Sequence, residues 1–131
     1  MKMSLLGFLL SASMACMAGD GLCVRHALVP GYPTLGWAAR LQGSVVLNIA
    51  IAADGEVVSV SPSGAHNLLQ EAAAENIRTW RFCASTAEQN ATITYVYALE
   101  GKETYPKPAA QVVFDFPEQI TITSNPPEAQ P

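Results

Sequence analysis

The sequence predicts an α+β domain: a small antiparallel three-stranded sheet, in the order strand, strand, helix, strand, with its helices packed on one face and an additional extended segment at the C-terminus. Three observations carry this. Two stretches alternate their side chains with the period of a half-buried strand. Asp54-Gly55 stands where a hairpin turn is needed. Between the hairpin and the last strand, one apolar stripe recurs every three to four residues.

Ahead of the sheet, Gly31-Tyr32-Pro33 and Gly36 mark a loop, and Trp37-Ala38-Ala39-Arg40-Leu41 is long enough for a short helix that stops before Gly43. Residues 44–52 set Val45, Leu47, Ile49 and Ile51 on one face and Val46, Asn48 and Ala50 on the other. Asp54-Gly55 is the strongest short hairpin signal a sequence offers, and residues 56–61 form the return strand. Pro62-Ser63-Gly64 breaks that pattern. Asn67, followed three residues later by Gln70, has the form of an N-cap with its capping-box partner and opens a helix over residues 68–81. Leu69, Ala73, Ile77 and Trp80 make its buried stripe. Glu71 and Glu75 lie toward its start and Arg78 and Arg81 at its end, as the helix dipole favours; these charges read as a solvated face. Residues 91–99 alternate Ile93, Tyr95, Tyr97 and Leu99 with Thr92, Thr94, Val96 and Ala98. Past a polar, proline-bearing link, residues 111–116 and 119–123 are strand-like pieces split by Pro117, which suits an edge or a bend. Residues 124–131 read as a flexible tail.

At 131 residues the chain has room for one domain. Lys2, the apolar run from Leu5 to Leu10 and the small residues up to Ala18 follow the order of a secretory signal peptide, so residues 1–18 are expected to be cleaved on export. The run is too short for the roughly 20 apolar residues of a membrane span. Residues 19–30 then form an N-terminal segment, residues 31–100 the domain and residues 101–123 the extended segment. Cys16 sits where a lipid could be attached, and only that lipid or a retained leader would bring the product to a membrane. The formal net charge is −4, and the cations are scattered, which excludes the basic patch that nucleic-acid binding needs.

Cys23 and Cys83 remain after cleavage. As a disulfide they would close a loop of roughly 60 residues, worth roughly 4 kcal/mol in the chain-entropy model. Two other readings stay open: a pair of free thiols, or a zinc set in which Cys23-Val24-Arg25-His26 joins His66 and Cys83 without a second tight ligand pair. No metal, cofactor or catalytic residue is expected, because the chain has no nucleophile elbow, zinc-helix motif or phosphate loop. Asp54-Gly55 is turn chemistry, and His26 and His66 read as surface or loop residues.

Tyr32-Pro33, Gly43-Ser44-Val45, Asp54-Gly55-x-Val57-x-x-Val60 and a helix with Leu69, Ala73 and Ile77 closing on Trp80-Arg81-Phe82 follow one another in order and spacing. Over about residues 31–99 this set resembles the C-terminal domain of the TonB energy transducers. The resemblance implies a non-enzymatic periplasmic domain that binds a short extended segment, the TonB box of an outer-membrane transporter, by strand addition to an exposed sheet edge. In the family that edge belongs to the strand after the helix. Carried over residue by residue, Tyr32, Pro33, Thr92, Ile93, Thr94, Tyr95, Val96, Tyr97 and Ala98 become the protein-binding candidates. A TonB-dependent transporter is the implied partner; the other reading is an envelope assembly protein that homodimerises through the same edge.

The departures are equally specific. A transducer has a membrane anchor and a long proline-rich spacer, whereas here a short leader is followed almost at once by Tyr32. Where the family usually has a proline two residues after the aromatic of its Trp-Arg-aromatic motif, Phe82 is followed by Cys83-Ala84, which fits a disulfide in place of a rigid turn. Residues 111–123 lie beyond the family core and, if they pair with the binding edge, cap it in cis.

Overall fold

The computed structural model describes residues 22–115 and 118–129. The expected leader, Cys16 and the break at Pro117 lie outside the described residues. In chain order the elements are β1 (Val24–His26), α1 (Thr34–Ala38), β2 (Gly43–Ile51), β3 (Val57–Gly64), α2 (Asn67–Arg78), β4 (Arg81–Phe82), β5 (Gln89–Leu99), β6 (Gln111–Asp115) and β7 (Gln119–Ser124). A five-stranded sheet runs in the order β3-β2-β5-β7-β6, and β1 and β4 pair separately.

The α+β class stands, with a larger sheet than the three antiparallel strands expected. β2 pairs antiparallel with β3 and β5, as the hairpin signal and the alternation predict. β7 then adds to the far side of β5 in parallel, and β6 closes on β7 as an antiparallel hairpin. A parallel return needs a long connection, and residues 100–118 supply it. The physical cause is the apolar alternation of β7: Ile120 and Ile122 are both fully buried, so the segment continues the core face of β5.

One face of the sheet carries Val45, Leu47, Ile49, Ile93, Tyr95 and Tyr97 into the core, where Leu69, Ala73 and Ile77 of α2 meet them. The opposite face is lined by short uncharged residues, among them Ser44, Asn48, Thr92 and Thr94. Trp80 lies just past the end of α2 and is fully buried; its ring stands 6.1 Å from Phe82, 6.5 Å from Tyr95 and 6.1 Å from Phe114, centroid to centroid. The helix therefore stops at Arg78 rather than Arg81, and Arg81-Phe82 turns into β4 to meet β1.

Several boundaries moved for local reasons. α1 begins three residues earlier than expected, with the Pro33 carbonyl accepting from Trp37 N–H, and Arg40 ends it in the left-handed region (φ 59°). The N-cap of α2 is His66, whose Nδ1 accepts from Leu68 N–H at 3.1 Å; Gln70 reaches back to the Ala65 carbonyl at 2.8 Å. β3 continues through Pro62 because the strand is at the margin of the sheet, where a missing N–H removes no ladder bond. Gly55 has φ +96°, and a Cβ there would overlap the Phe82 carbonyl, so the hairpin turn also seats β4. Residues 125–127 are tied down: Trp37 Nε1 donates to Asn125 C=O at 2.7 Å, Arg40 to Pro127 C=O at 2.6 Å, and Thr104 N–H to Pro126 C=O at 2.9 Å.

Cys23 and Cys83 are joined, with Cα atoms 5.3 Å apart and a sequence separation of 60. The sulfurs are thereby used up, and the alternative zinc set falls away. Cys83 N–H also donates to Cys23 C=O at 2.8 Å, so the bridge clamps the N-terminal segment to β4. Reduction, or Cys83→Ser, is expected to lower stability by about 4 kcal/mol, read as a shift of the urea midpoint with and without reductant. A loss below about 1 kcal/mol would mean that the bridge constrains little.

Candidate functional site

Strand addition needs a margin of the sheet whose backbone groups point outward, so the site is built from the ladder itself. Along β5, Ile93, Tyr95 and Tyr97 point into the core and are at most 1 % exposed. Thr94, Val96 and Ala98 are half-buried on the open face, and Thr92 is exposed, its hydroxyl donating to Asn48 Oδ1 at 2.9 Å. Tyr32 is buried, packs edge-to-face on Tyr97 (5.4 Å) and donates its hydroxyl to the Leu41 carbonyl. That placement turns the Tyr32 ring inward at the head of α1, while Pro33 is half-buried.

The backbone of β5 is flanked on both sides. Residues 89–97 pair with β2, and residues 94–99 pair with β7. Thr94 N–H donates to Glu118 C=O at 2.8 Å and Glu100 N–H to Ser124 C=O at 2.9 Å. From Thr94 onward, the edge that the resemblance assigns to a partner peptide is occupied by the chain's own C-terminal strand.

These bonds fix the direction of every backbone group across the sheet, because alternate residues of a strand face alternate neighbours. Ile120 and Ile122 turn their N–H and C=O to β5, so Gln119, Thr121 and Thr123 turn theirs to β6, where they pair with Asp115, Val113 and Gln111. The N–H and C=O of Val112 therefore point away from the sheet. At the other margin Ala65 N–H donates to Ser44 C=O at 3.0 Å, which sets Ser63, Ser61 and Ser59 facing β2 and leaves Val60 and Pro62 facing outward. Pro62 has no N–H, so this margin is interrupted two residues after Val60.

Beside β6, on the helix side of the sheet, lies an open groove of about 500 Å³ lined by Leu22, Val24, Arg25, His26, Ala27 and Phe114. Among the described residues neither Arg25 nor His26 makes a hydrogen bond or an ion pair through its side chain; the one ion pair among those residues joins Arg40 and Glu103, neither of which lines the groove, at 3.5 Å. Asn76 supports this region from beneath. Its Oδ1 accepts from Trp80 Nε1 (3.0 Å) and Tyr95 Oη (2.6 Å), and its Nδ2 donates to Leu28 C=O (2.9 Å), tying α2 to β5 and to the N-terminal segment. The sequence reading passed over Asn76, since an Asn in a helix carries no motif. It also passed over β1, which is too short to show a period.

Burial governs the titration of the core phenols. Tyr32 is pushed up to about 12 by desolvation. Tyr95 and Tyr97 are raised further, first by burial and then by a neighbouring phenol, Tyr97 for the one and Tyr32 for the other. A folded-state value above the unfolded one, about 10 for tyrosine, means stability that is fully present below pH 10 and is lost as pH rises beyond it. Unfolding midpoints measured from pH 7 to 12 should fall above pH 10. Tyr97→Phe should flatten that fall and be neutral or stabilising at pH 7, because the Tyr97 hydroxyl has no hydrogen-bond partner among the described residues. Ile122→Ala, in the strand that covers β5, is expected to lower stability by about 2–5 kcal/mol in urea titrations. A loss near zero would make that strand a loosely held flap.

Among the described residues no helix is long and apolar enough to cross a membrane. No curated protein matches the chain. The family model described as Gram-negative bacterial TonB protein C-terminal matches residues 29–99, from just before α1 to the last residue of β5. That family consists of non-catalytic periplasmic domains that interact with proteins, outer-membrane transporters among them. With more than half of its 131 residues matched, and with the strand, strand, helix, strand core in place, the chain belongs to the TonB C-terminal domain family.

Proposed function

We propose that this protein is a periplasmic binding module that takes an extended segment of an envelope protein onto its sheet by strand addition and holds it without chemistry. The observation that carries this reading is the sheet itself: a family core with a five-stranded sheet that still ends in open margins, β3 on one side and β6 on the other. Main-chain hydrogen bonds would supply affinity, and side chains beside the margin would supply selection. A TonB-dependent outer-membrane transporter is the partner that family membership favours. With residues 1–18 removed on export, the module would work in the periplasm as an adaptor or as a competitor for such segments. In this reading Ile93, Tyr95 and Tyr97 anchor the sheet's central strand, Thr92, Thr94, Val96 and Ala98 hold its flanking strands in register, and Tyr32-Pro33 braces the end of β5.

The test is a titration of the exported, isotope-labelled protein with TonB-box-like peptides, followed by amide chemical shifts. Saturable shifts confined to one margin of the sheet are expected. Spectra that stay unchanged with every such peptide would sink strand addition.

A further inference from the structure

We infer that the receptive margin of this protein is β6 in place of β5, and that the segment it receives is extended and carries an apolar side chain for the groove beside Phe114 together with a carboxylate for Arg25. The inference rests on strand addition as proposed above and locates it.

Three margins compete, and the structure separates them. On β5 the outer ladder from Thr94 to Leu99 is filled by β7, whose Ile120 and Ile122 are fully buried, and only the short stretch of residues 89–93 is left without that flank. Lifting β7 would return both apolar side chains to water and break the ladder as well. β7 is thus part of the core and no lid. On β3 the outward-facing residues are Val60 and Pro62, and Pro62 cannot donate, so the run of outward N–H groups is broken there. Natural sheets protect exposed edges with such devices. β6 has no such proline. Its sequence, Gln111-Val112-Val113-Phe114-Asp115, contains no proline or lysine, Val113 is 63 % exposed, and the N–H and C=O of Val112 point outward.

The groove identifies the occupant. A strand added about 4.8 Å beyond β6 would send alternate side chains toward the helix side of the sheet, where the groove lies. Its floor is apolar, from Val24, Ala27 and Phe114, and its rim carries Arg25, which is exposed and makes no ion pair among the described residues. A protein whose net charge is −4 does not draw in an acidic segment from a distance. The carboxylate is selected at short range, by Arg25 alone. A second copy fits less well: antiparallel pairing of two β6 strands would direct Val112 and Phe114 into the groove and bring no acid to Arg25, since Asp115 lies on the other face.

The experiment uses the exported protein and the heptapeptide acetyl-Thr-Val-Thr-Glu-Thr-Val-Thr-amide, with a second version in which Lys replaces Glu. Saturable amide shifts are expected at Val112 and at residues 24–27, with binding at least fivefold weaker for the Lys peptide. Arg25→Glu should reverse that preference. Val112→Pro should weaken binding at least tenfold with the far-ultraviolet spectrum unchanged, because the N–H it removes serves no bond within the sheet. If Val112→Pro does not fold, the charge reversal at Arg25 decides alone. Shifts along β3 or β5, or equal binding of the two peptides by the unaltered protein, would overturn the inference while leaving strand addition intact. Light scattering that shows a dimer dispersed by Val112→Pro would make a second copy the occupant and overturn it too. Silence toward this heptapeptide and toward all TonB-box-like peptides would remove both readings.

Discussion

Two ladders grip β5, one on each side, and most of the molecule is arranged around that fact. β2 holds it antiparallel and β7 holds it parallel, so its alternating Ile93, Tyr95 and Tyr97 sit at the middle of the core rather than at its border. Where both ladders run, from Thr94 to Tyr97, such a strand contributes buried area on one face and has its backbone satisfied on both sides. An edge strand has one side unsatisfied and open to partners. Doubling the flanks of β5 therefore exchanges a binding surface for core, and the exchange is enforced by Ile120 and Ile122, which have no other place to be buried.

The rest of the core is fastened to this centre by a few polar contacts at its border. Asn76 satisfies Trp80, Tyr95 and the Leu28 carbonyl at once, so the helix, the central strand and the N-terminal segment share one side chain. A half-buried group with that many partners is costly to remove, since each partner is left without its bond. The disulfide reinforces the same corner by holding β1 to β4, beside a hairpin turn where only glycine fits under the Phe82 carbonyl. At the opposite end, Trp37 and Arg40 fix the C-terminal residues to α1, which keeps β7 seated in its parallel register.

Function follows from what is left at the margins. A binding domain of this family works by offering backbone groups to an extended partner, and this chain has spent the family's usual strand on its own C-terminus. Of its two remaining margins, one is interrupted by Pro62 and the other, β6, is unguarded and borders an apolar groove with a cation at its rim. The family core and its mode of recognition can persist while the place of recognition shifts by two strands.

Local patterns in the sequence were enough for the class, for β2, β3, α2 and β5, for the Asp54-Gly55 turn and for the family, because period-2 alternation, a helical stripe and turn chemistry are properties of neighbouring residues. The spacing of Cys23 and Cys83 allowed a bridge without requiring it. The helix ends were legible to within a few residues: Trp80 kept its buried stripe but left the helix, and the cap fell to His66, since capping depends on where one side chain finds an orphan N–H. Pairing was not legible. Whether residues 119–123 would lie beside β5, in which direction, and with which backbone groups turned outward is decided by hydrogen bonds between residues far apart in sequence, and an alternating strand looks the same whichever edge it joins. The sequence by itself determined a TonB-type core that could bind by its edge; only the tertiary structure decided which edge remained, because that depends on where Ile120 and Ile122 find burial.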